Sequence, residues 1–109
     1  MTSVTFLTGE GRINGFDAEG HSGYAEAGED IVCAAITSAV RLIDATINEV
    51  MGLCASVKVD EKSGSIAFRL PGGLSQTAES TCQALLAGLM VYLTELHDEY
   101  PENVEVMEG

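Results

Sequence analysis

Cys33 and His21, which lies twelve residues upstream, are the residues best suited to covalent chemistry. A cysteine attacks as its thiolate, and a helix N-terminus or a nearby imidazole increases the thiolate fraction at neutral pH. Asp30 is a favourable N-cap residue, so the sequence predicts a helix that begins there, with Cys33 as its third residue. His21 can act as the general base if the segment that carries it folds back onto the sulfur.

Local sequence leaves a second interpretation of Cys33 open, because a lone cysteine near a helix start is more often a small buried hydrophobic residue. The other cysteines favour packing roles. Cys82 falls on an apolar helical stripe and Cys54 opens a strand, so we expect both to be buried or half-buried. No two Cys or His residues have the short spacing of a structural zinc site. We therefore expect neither a metal nor a cofactor.

The composition indicates one acidic domain. The chain has 109 residues with five Lys or Arg and seventeen Asp or Glu, which gives a formal net charge of −12. Its length fits a single domain over residues 1–109, and 46% apolar residues exclude a disordered acidic tail. The basic residues are scattered singly, so direct nucleic-acid binding is not expected. The negative electrostatic potential of such a chain would attract a basic protein partner.

The N-terminal residues indicate a cytoplasmic protein. Residues 1–11 lack a positive segment followed by an apolar one, and the chain has no run of eighteen apolar residues. We therefore expect no signal peptide and no membrane association. Three cysteines without paired spacing favour reduced thiols over a disulfide framework.

Hydrophobic periodicity predicts two hairpins, each followed by a long helix, and a final strand. The first hairpin covers 4–7 and 12–16, and a glycine-rich loop follows over 20–28. Helix one runs from Asp30 to near Gly52, and the second hairpin covers 55–59 and 65–70. Helix two begins at Gln76 or Thr77 and ends near Glu99, before a short strand at 104–106. This ββαββαβ order predicts an α/β layered domain whose mixed or largely antiparallel sheet is packed by two long helices.

Three stretches of this sequence resemble one bacterial family, the ribosomal-processing cysteine proteases called Prp. They are GHSGY at 20–24, GEDIVCAA at 28–35 and EYPENV at 99–104. The spacing from His21 to Cys33 matches the family pattern, and the likeness extends along almost the whole chain. Ser22 departs from the alanine that is most common after the histidine, and we expect that change to be tolerated.

The resemblance implies a cytosolic endopeptidase with a Cys-His dyad. Such an enzyme removes an N-terminal extension from the bacterial large-subunit ribosomal protein numbered twenty-seven, cuts after Phe and before Ala, and is needed for ribosome assembly. Cys33 would be the nucleophile and His21 the base. Asp30 and Gly20 would support them, and the substrate-binding positions would be Ser22, Gly23 and Thr37.

The resemblance also implies a homodimer. A different class of function remains as an alternative, namely a non-catalytic module that binds or assembles a ribosomal protein without cutting it. The presence of both His21 and Cys33 favours the enzyme, since a binding module does not need that pair.

Overall fold

The N-terminal hairpin consists of β1 (Thr2–Gly9) and β2 (Arg12–Glu19). The computed structural model describes residues 1–20, 27–60 and 62–109, and at 27–30 it describes only the backbone. Glu10 and Gly11 connect the strands and both have positive φ, as expected for a two-residue turn that matches the strand twist. Both strands are longer than predicted, because their polar ends pair as well as their apolar centres.

The second hairpin is β3 (Ser56–Asp60) with β4 (Ser65–Arg69), and the last strand is β5 (Val104–Glu108). All five strands form one mixed sheet in the order β3-β4-β2-β1-β5. β1 pairs antiparallel with β2 and parallel with β5, while β2 and β3 both pair antiparallel with β4. The predicted ββαββαβ order and the mixed sheet are therefore confirmed.

Three phenylalanines form the centre of the core on one face of this sheet. Phe6 is paired with Phe16 across β1 and β2, and Phe16 with Phe68 across β2 and β4. Their ring centroids are 5.8 Å and 5.2 Å apart, respectively, and all three side chains are fully buried. Because neighbouring residues point to opposite faces, Ser3 and Thr5 lie on the other face and are only half-buried.

Two helices complete the core. α1 (Ala27–Asp44) continues as a π-helical segment, Ala45–Val50, and α2 (Gln76–Glu99) lies between β4 and β5 in the chain. The buried side chains of both helices join the phenylalanine cluster. α2 begins where predicted, since the Ser75 hydroxyl accepts a hydrogen bond of 3.1 Å from the amide of Ala78.

The predicted start of helix one is wrong. α1 begins at Ala27, three residues before Asp30, so Asp30 is the fourth residue of the helix and not its N-cap. The predicted loop therefore ends earlier than Gly28, and its remaining part at 21–26 lies outside the described residues. Acidic residues are also favoured in the first turn of a helix by its macrodipole, which accounts for Glu29 and Asp30 inside α1.

Candidate active site

Cys33 lies in the second turn of α1, as the seventh residue of the helix. It is therefore beyond the four residues whose amides lack partners within a helix, and the predicted position in the first turn is wrong. The dipole falls off within that turn, so stabilisation of a thiolate at Cys33 must come mainly from nearby side chains. Its side chain is half-buried, which leaves the sulfur partly accessible.

Thr2 is the polar neighbour of this sulfur. Its Oγ1 lies 3.9 Å from Cys33 Sγ, a distance compatible with a hydrogen bond to sulfur in which either atom can donate. The side chain of Thr2 is 0% exposed, and its backbone N–H donates a 2.9 Å hydrogen bond to the carbonyl oxygen of Asn103. The first residue of β1 therefore faces the thiol-bearing helix from a fixed position.

Gly20, directly after β2, lies next to the Met1–Thr2 segment at the start of β1. It follows Glu19, which pairs with Ser3 of β1, and its φ is +98°. A Cβ at Gly20 would come within 2.2 Å of the carbonyl oxygen of Met1. Only glycine fits this close approach and positive φ. Gly20 itself therefore lies beside the Met1–Thr2 segment, and its predicted supporting role next to His21 stays a prediction.

The described residues cover only part of the predicted site. His21, Ser22 and Gly23 lie outside them, so their predicted roles stay predictions. Thr37 follows Cys33 by about one helical turn on α1 and is half-buried. Asp30 precedes Cys33 by a similar distance along the helix backbone.

Thr2 was not among the site residues predicted from the sequence. The sequence does contain one indication that Thr2 is buried. Thr2 lies two and four residues before the core residues Val4 and Phe6, and residues at this spacing in a strand point to the same face. A polar residue at a core position needs a hydrogen-bond partner, but the identity of that partner, 31 positions away, is not readable from periodicity.

The other two cysteines differ from Cys33 in environment. Cys82 is fully buried on α2, as predicted, and burial raises the pKa of its thiol, with a further rise caused by the negative charge of Glu79. Cys54 is exposed, so its predicted burial is wrong. It lies in the connection before β3, and it alternates with the half-buried Ala55 in the same way as the exposed Ser56. Among the described residues, no group of three or more His, Cys, Asp or Glu could hold a metal ion.

An open apolar groove of about 500 Å³ lies between α1 and α2. Ala39 and Leu42 line it from α1, and Leu85, Gly88 and Tyr92 line it from α2. Leu42 is 67% exposed. The stretch Ile31–Val50 is long and apolar enough to cross a bilayer by length and composition alone. Its buried stripe, however, belongs to the protein core.

A partly exposed cysteine thiol is available for the nucleophilic attack on which cysteine hydrolases depend. Residues 1–105 match the family model described as cysteine protease Prp, and the chain belongs to this family.

Relatives and solved structures agree with this assignment. The chain is 30% identical over 94 residues to the ribosomal processing cysteine protease Prp of Bacillus subtilis (strain 168), covering 86% of this chain and 84% of that protein. It is 26% identical to the protein of the same name from Staphylococcus aureus (strain Mu50), with 89% and 88% covered. A crystal structure of an essential ribosomal processing protease Prp from S. aureus with a substrate peptide superposes with a TM-score of 0.86, at 22% identity and full coverage of both chains. The chain is a cysteine protease with the fold of these proteins.

Proposed function

We propose that this protease removes an N-terminal extension from the bacterial large-subunit ribosomal protein numbered twenty-seven, cutting after Phe and before Ala, in support of ribosome assembly. The ribosomal substrate is supported by the names of the relatives, which are ribosomal processing proteases. The bond that is cut rests on the resemblance of the GHSGY and GEDIVCAA segments to the family pattern.

The observation that carries the proposal is the partly exposed thiol of Cys33, which lies in the GEDIVCAA segment. Thr2 contacts the sulfur at 3.9 Å, Gly20 packs against the carbonyl of Met1, and the next residue is His21. His21 would activate this thiol as the general base of a His-Cys pair.

In this mechanism, His21 takes the proton from Cys33 Sγ, and the thiolate attacks the carbonyl carbon of the substrate Phe. The protonated imidazole then gives its proton to the amine of the Ala residue as the C–N bond breaks. Water attacks the resulting thioester and loses a proton to His21. The S–C bond breaks, the Phe carboxylate leaves, and the thiol is restored. Thr37, about one turn beyond Cys33, would line the substrate site, and Asp30 and Gly20 would support the pair.

Mass spectrometry of a peptide that spans the extension junction tests this function. The wild-type protein should produce the two fragments of Phe-Ala cleavage, whereas Cys33→Ala and His21→Ala should produce none. Cys54→Ser is the matched control, because it removes an exposed thiol far from the pair in sequence. Binding of the peptide without cleavage by any of these proteins would instead support a non-catalytic binding module.

We also propose that the groove between α1 and α2 holds a second copy of this chain, which makes the protein a homodimer. On the groove side, the two helices present Leu42 and Tyr92, which are 67% and 41% exposed. An apolar helical face of this kind is typical of an interface that is covered in solution. The same contact would explain why α1 is apolar beyond its core stripe.

Sedimentation equilibrium tests the dimer. The wild type should have twice the mass of the 11.4 kDa chain, and Leu42→Asp should shift it towards the monomer. Val59→Asp is the matched control, since Val59 is 63% exposed but lies on β3 outside the groove. A monomeric wild type at 100 µM, or equal dimerisation of both variants, would contradict the proposal.

A cytoplasmic location fits the same function. The free state of the three cysteines agrees with a reducing compartment, where thiols persist. The net charge of −12 disfavours direct contact with RNA and favours a basic protein substrate. The protease would therefore act on the ribosomal protein itself and not on nucleic acid.

A further inference from the structure

Thr2 is a fully enclosed polar side chain in a core that is otherwise apolar over the part of the chain the structure describes. On the same face of β1, the next two inward residues are Val4 and Phe6, and both are buried. A valine at position 2 would have almost the same shape and would need no hydrogen-bond partner. A buried hydroxyl is destabilising unless it is paired, so its presence calls for an explanation other than packing.

Cys33 is a partner for this hydroxyl. The two atoms are 3.9 Å apart, and sulfur forms longer hydrogen bonds than oxygen does. A threonine hydroxyl has one hydrogen to donate and two lone pairs, so it can accept from a thiol or donate to a thiolate. The same contact is therefore available in both protonation states of the nucleophile.

The backbone of Thr2 is held from both sides of β1. Its N–H donates to the carbonyl oxygen of Asn103 at 2.9 Å, and the residue pairs in register with Val104 of β5. The following residue, Ser3, pairs with Glu19 of β2. The side chain adds little freedom, because a β-branched residue has restricted rotation about its first side-chain bond. The hydroxyl is thus pre-organised to orient the sulfur.

We infer that Thr2 is a positioning residue of the protease, and that its hydroxyl orients Cys33 Sγ and stabilises the thiolate by donating a hydrogen bond to it. This inference rests on the proposed role of Cys33 as the nucleophile. Thr2 transfers no proton. It keeps its own hydrogen, while the proton of the thiol passes to His21. The function of Thr2 is to hold the sulfur in one orientation for the reaction.

The test compares Thr2→Val, Thr2→Ser and Thr2→Ala by the rate of Cys33 alkylation with iodoacetamide between pH 5 and pH 10. All variants carry Cys54→Ser, because the exposed thiol of Cys54 would also react. In Thr2→Val, the midpoint of the pH profile should move upward by about one pH unit, as expected for the loss of one hydrogen bond to a charged group. Thr2→Ser should restore most of the wild-type profile, and Thr2→Ala should not.

A purely structural role gives a different pattern. Thr2→Val would then keep the wild-type alkylation profile, and Thr2→Ser and Thr2→Ala would differ only in thermal stability. That result would overturn the inference. If Thr2→Val fails to fold, the comparison between Ser and Ala decides, because both lack the methyl group and only Ser keeps the hydroxyl.

Alkylation needs no peptide substrate, so this experiment is separate from the test of the protease. With the junction peptide, Thr2→Val should lower kcat about tenfold and leave KM nearly unchanged, since Thr2 is fully buried and contacts the nucleophile. If Thr2→Val shifts the pH profile of alkylation as expected but the wild type cleaves no peptide, the role of Thr2 stands and the proposed substrate is refuted. If the wild type cleaves the peptide and Thr2→Val does not shift the alkylation profile, only the role of Thr2 is refuted.

Discussion

The carbonyl oxygen of Met1 occupies the space that a side chain of Gly20 would need, since a Cβ there would lie 2.2 Å from it. This contact joins the ends of β1 and β2 next to the thiol-bearing helix. It also constrains the backbone of Gly20, the residue that precedes His21 in the sequence.

Gly20→Ala should therefore reduce both activity and stability. The positive φ and the close approach to Met1 together should lower the free energy of unfolding by about 1–3 kcal/mol. A shift of about 1 Å in the path towards His21 should lower kcat/KM by about a hundredfold. Urea denaturation and cleavage of the junction peptide measure the two effects.

Two other glycines are matched controls for this substitution. Gly73 has a φ of +71° but open space around its Cα. Gly73→Ala should therefore lower the free energy of unfolding by about 1 kcal/mol and leave kcat/KM unchanged. Gly72 has open space without that positive φ, and Gly72→Ala should change stability by less than about 0.5 kcal/mol. Equal losses in the three variants would show that the contact with Met1 has no special role.

The pair of Arg12 and Glu79 should make stability depend on pH. Nε and Nη2 of Arg12 donate to the two carboxylate oxygens of Glu79 at 2.7 Å and 2.6 Å. These hydrogen bonds lower the pKa of Glu79 below its usual value and raise that of Arg12. The stabilisation is present above the unfolded pKa of Glu79, about 4.3, and is lost as the pH falls through the lower folded value.

Glu79→Gln should thus be less stable than the wild type by about 1 kcal/mol at pH 7, because partial exposure of the pair screens it. The difference should shrink below about pH 4, as the wild-type carboxylate takes up a proton. Urea denaturation at pH 7 and pH 3 measures it. Asp17→Asn, which removes the more exposed pair with Arg69, is the control and should have a smaller effect at pH 7. A difference that stays constant or grows towards pH 3 would contradict this assignment.

The three cysteines should separate by their rates of labelling with a thiol reagent at pH 7.5. Cys54 is exposed, Cys33 is half-buried and Cys82 is buried with a raised pKa. We expect two thiols to react in the native protein and a third only in denaturant, since a buried thiol is shielded and less ionised. Mass spectrometry of tryptic peptides identifies the modified residues. If Cys33 resisted labelling as strongly as Cys82, it would be a packing residue and not an accessible nucleophile.

The elements predicted well from sequence are those with strong local signals. α2 has an N-cap serine at Ser75 and a proline at Pro101 beyond its end, and its apolar stripe is buried as predicted. The start of α1 lacks such signals. Gly28 instead favours a loop, because glycine is about 1 kcal/mol less favourable than alanine inside a helix. Packing of Val32 and Ile36 in the core outweighs that preference.

Hydrophobic periodicity does not predict contacts between segments that are distant in the sequence. The parallel pairing of Thr2 with Val104 and the approach of Thr2 to Cys33 join residues about a hundred and about thirty positions apart. Extending the alternation of Val4 and Phe6 back to Thr2 puts it on the core side of β1, but only the sheet register decides which helix it contacts. The motif around Cys33 predicted the nucleophile, whereas the residue that orients it required the fold.

The net charge of −12 should make cleavage of a basic substrate sensitive to salt. A peptide whose mature side carries lysines and arginines is attracted to an acidic protein, and this attraction acts mainly on the association step. Because the Debye length falls from about 8 Å at 0.15 M salt to about 3 Å at 1 M, kcat/KM should fall several-fold over that range while kcat stays nearly constant. A matched peptide with glutamine at the basic positions should be cut more slowly at low salt and should show little dependence on ionic strength. If both peptides responded equally to salt, the effect would arise from the enzyme itself, and the acidic surface would have no role in the capture of the substrate.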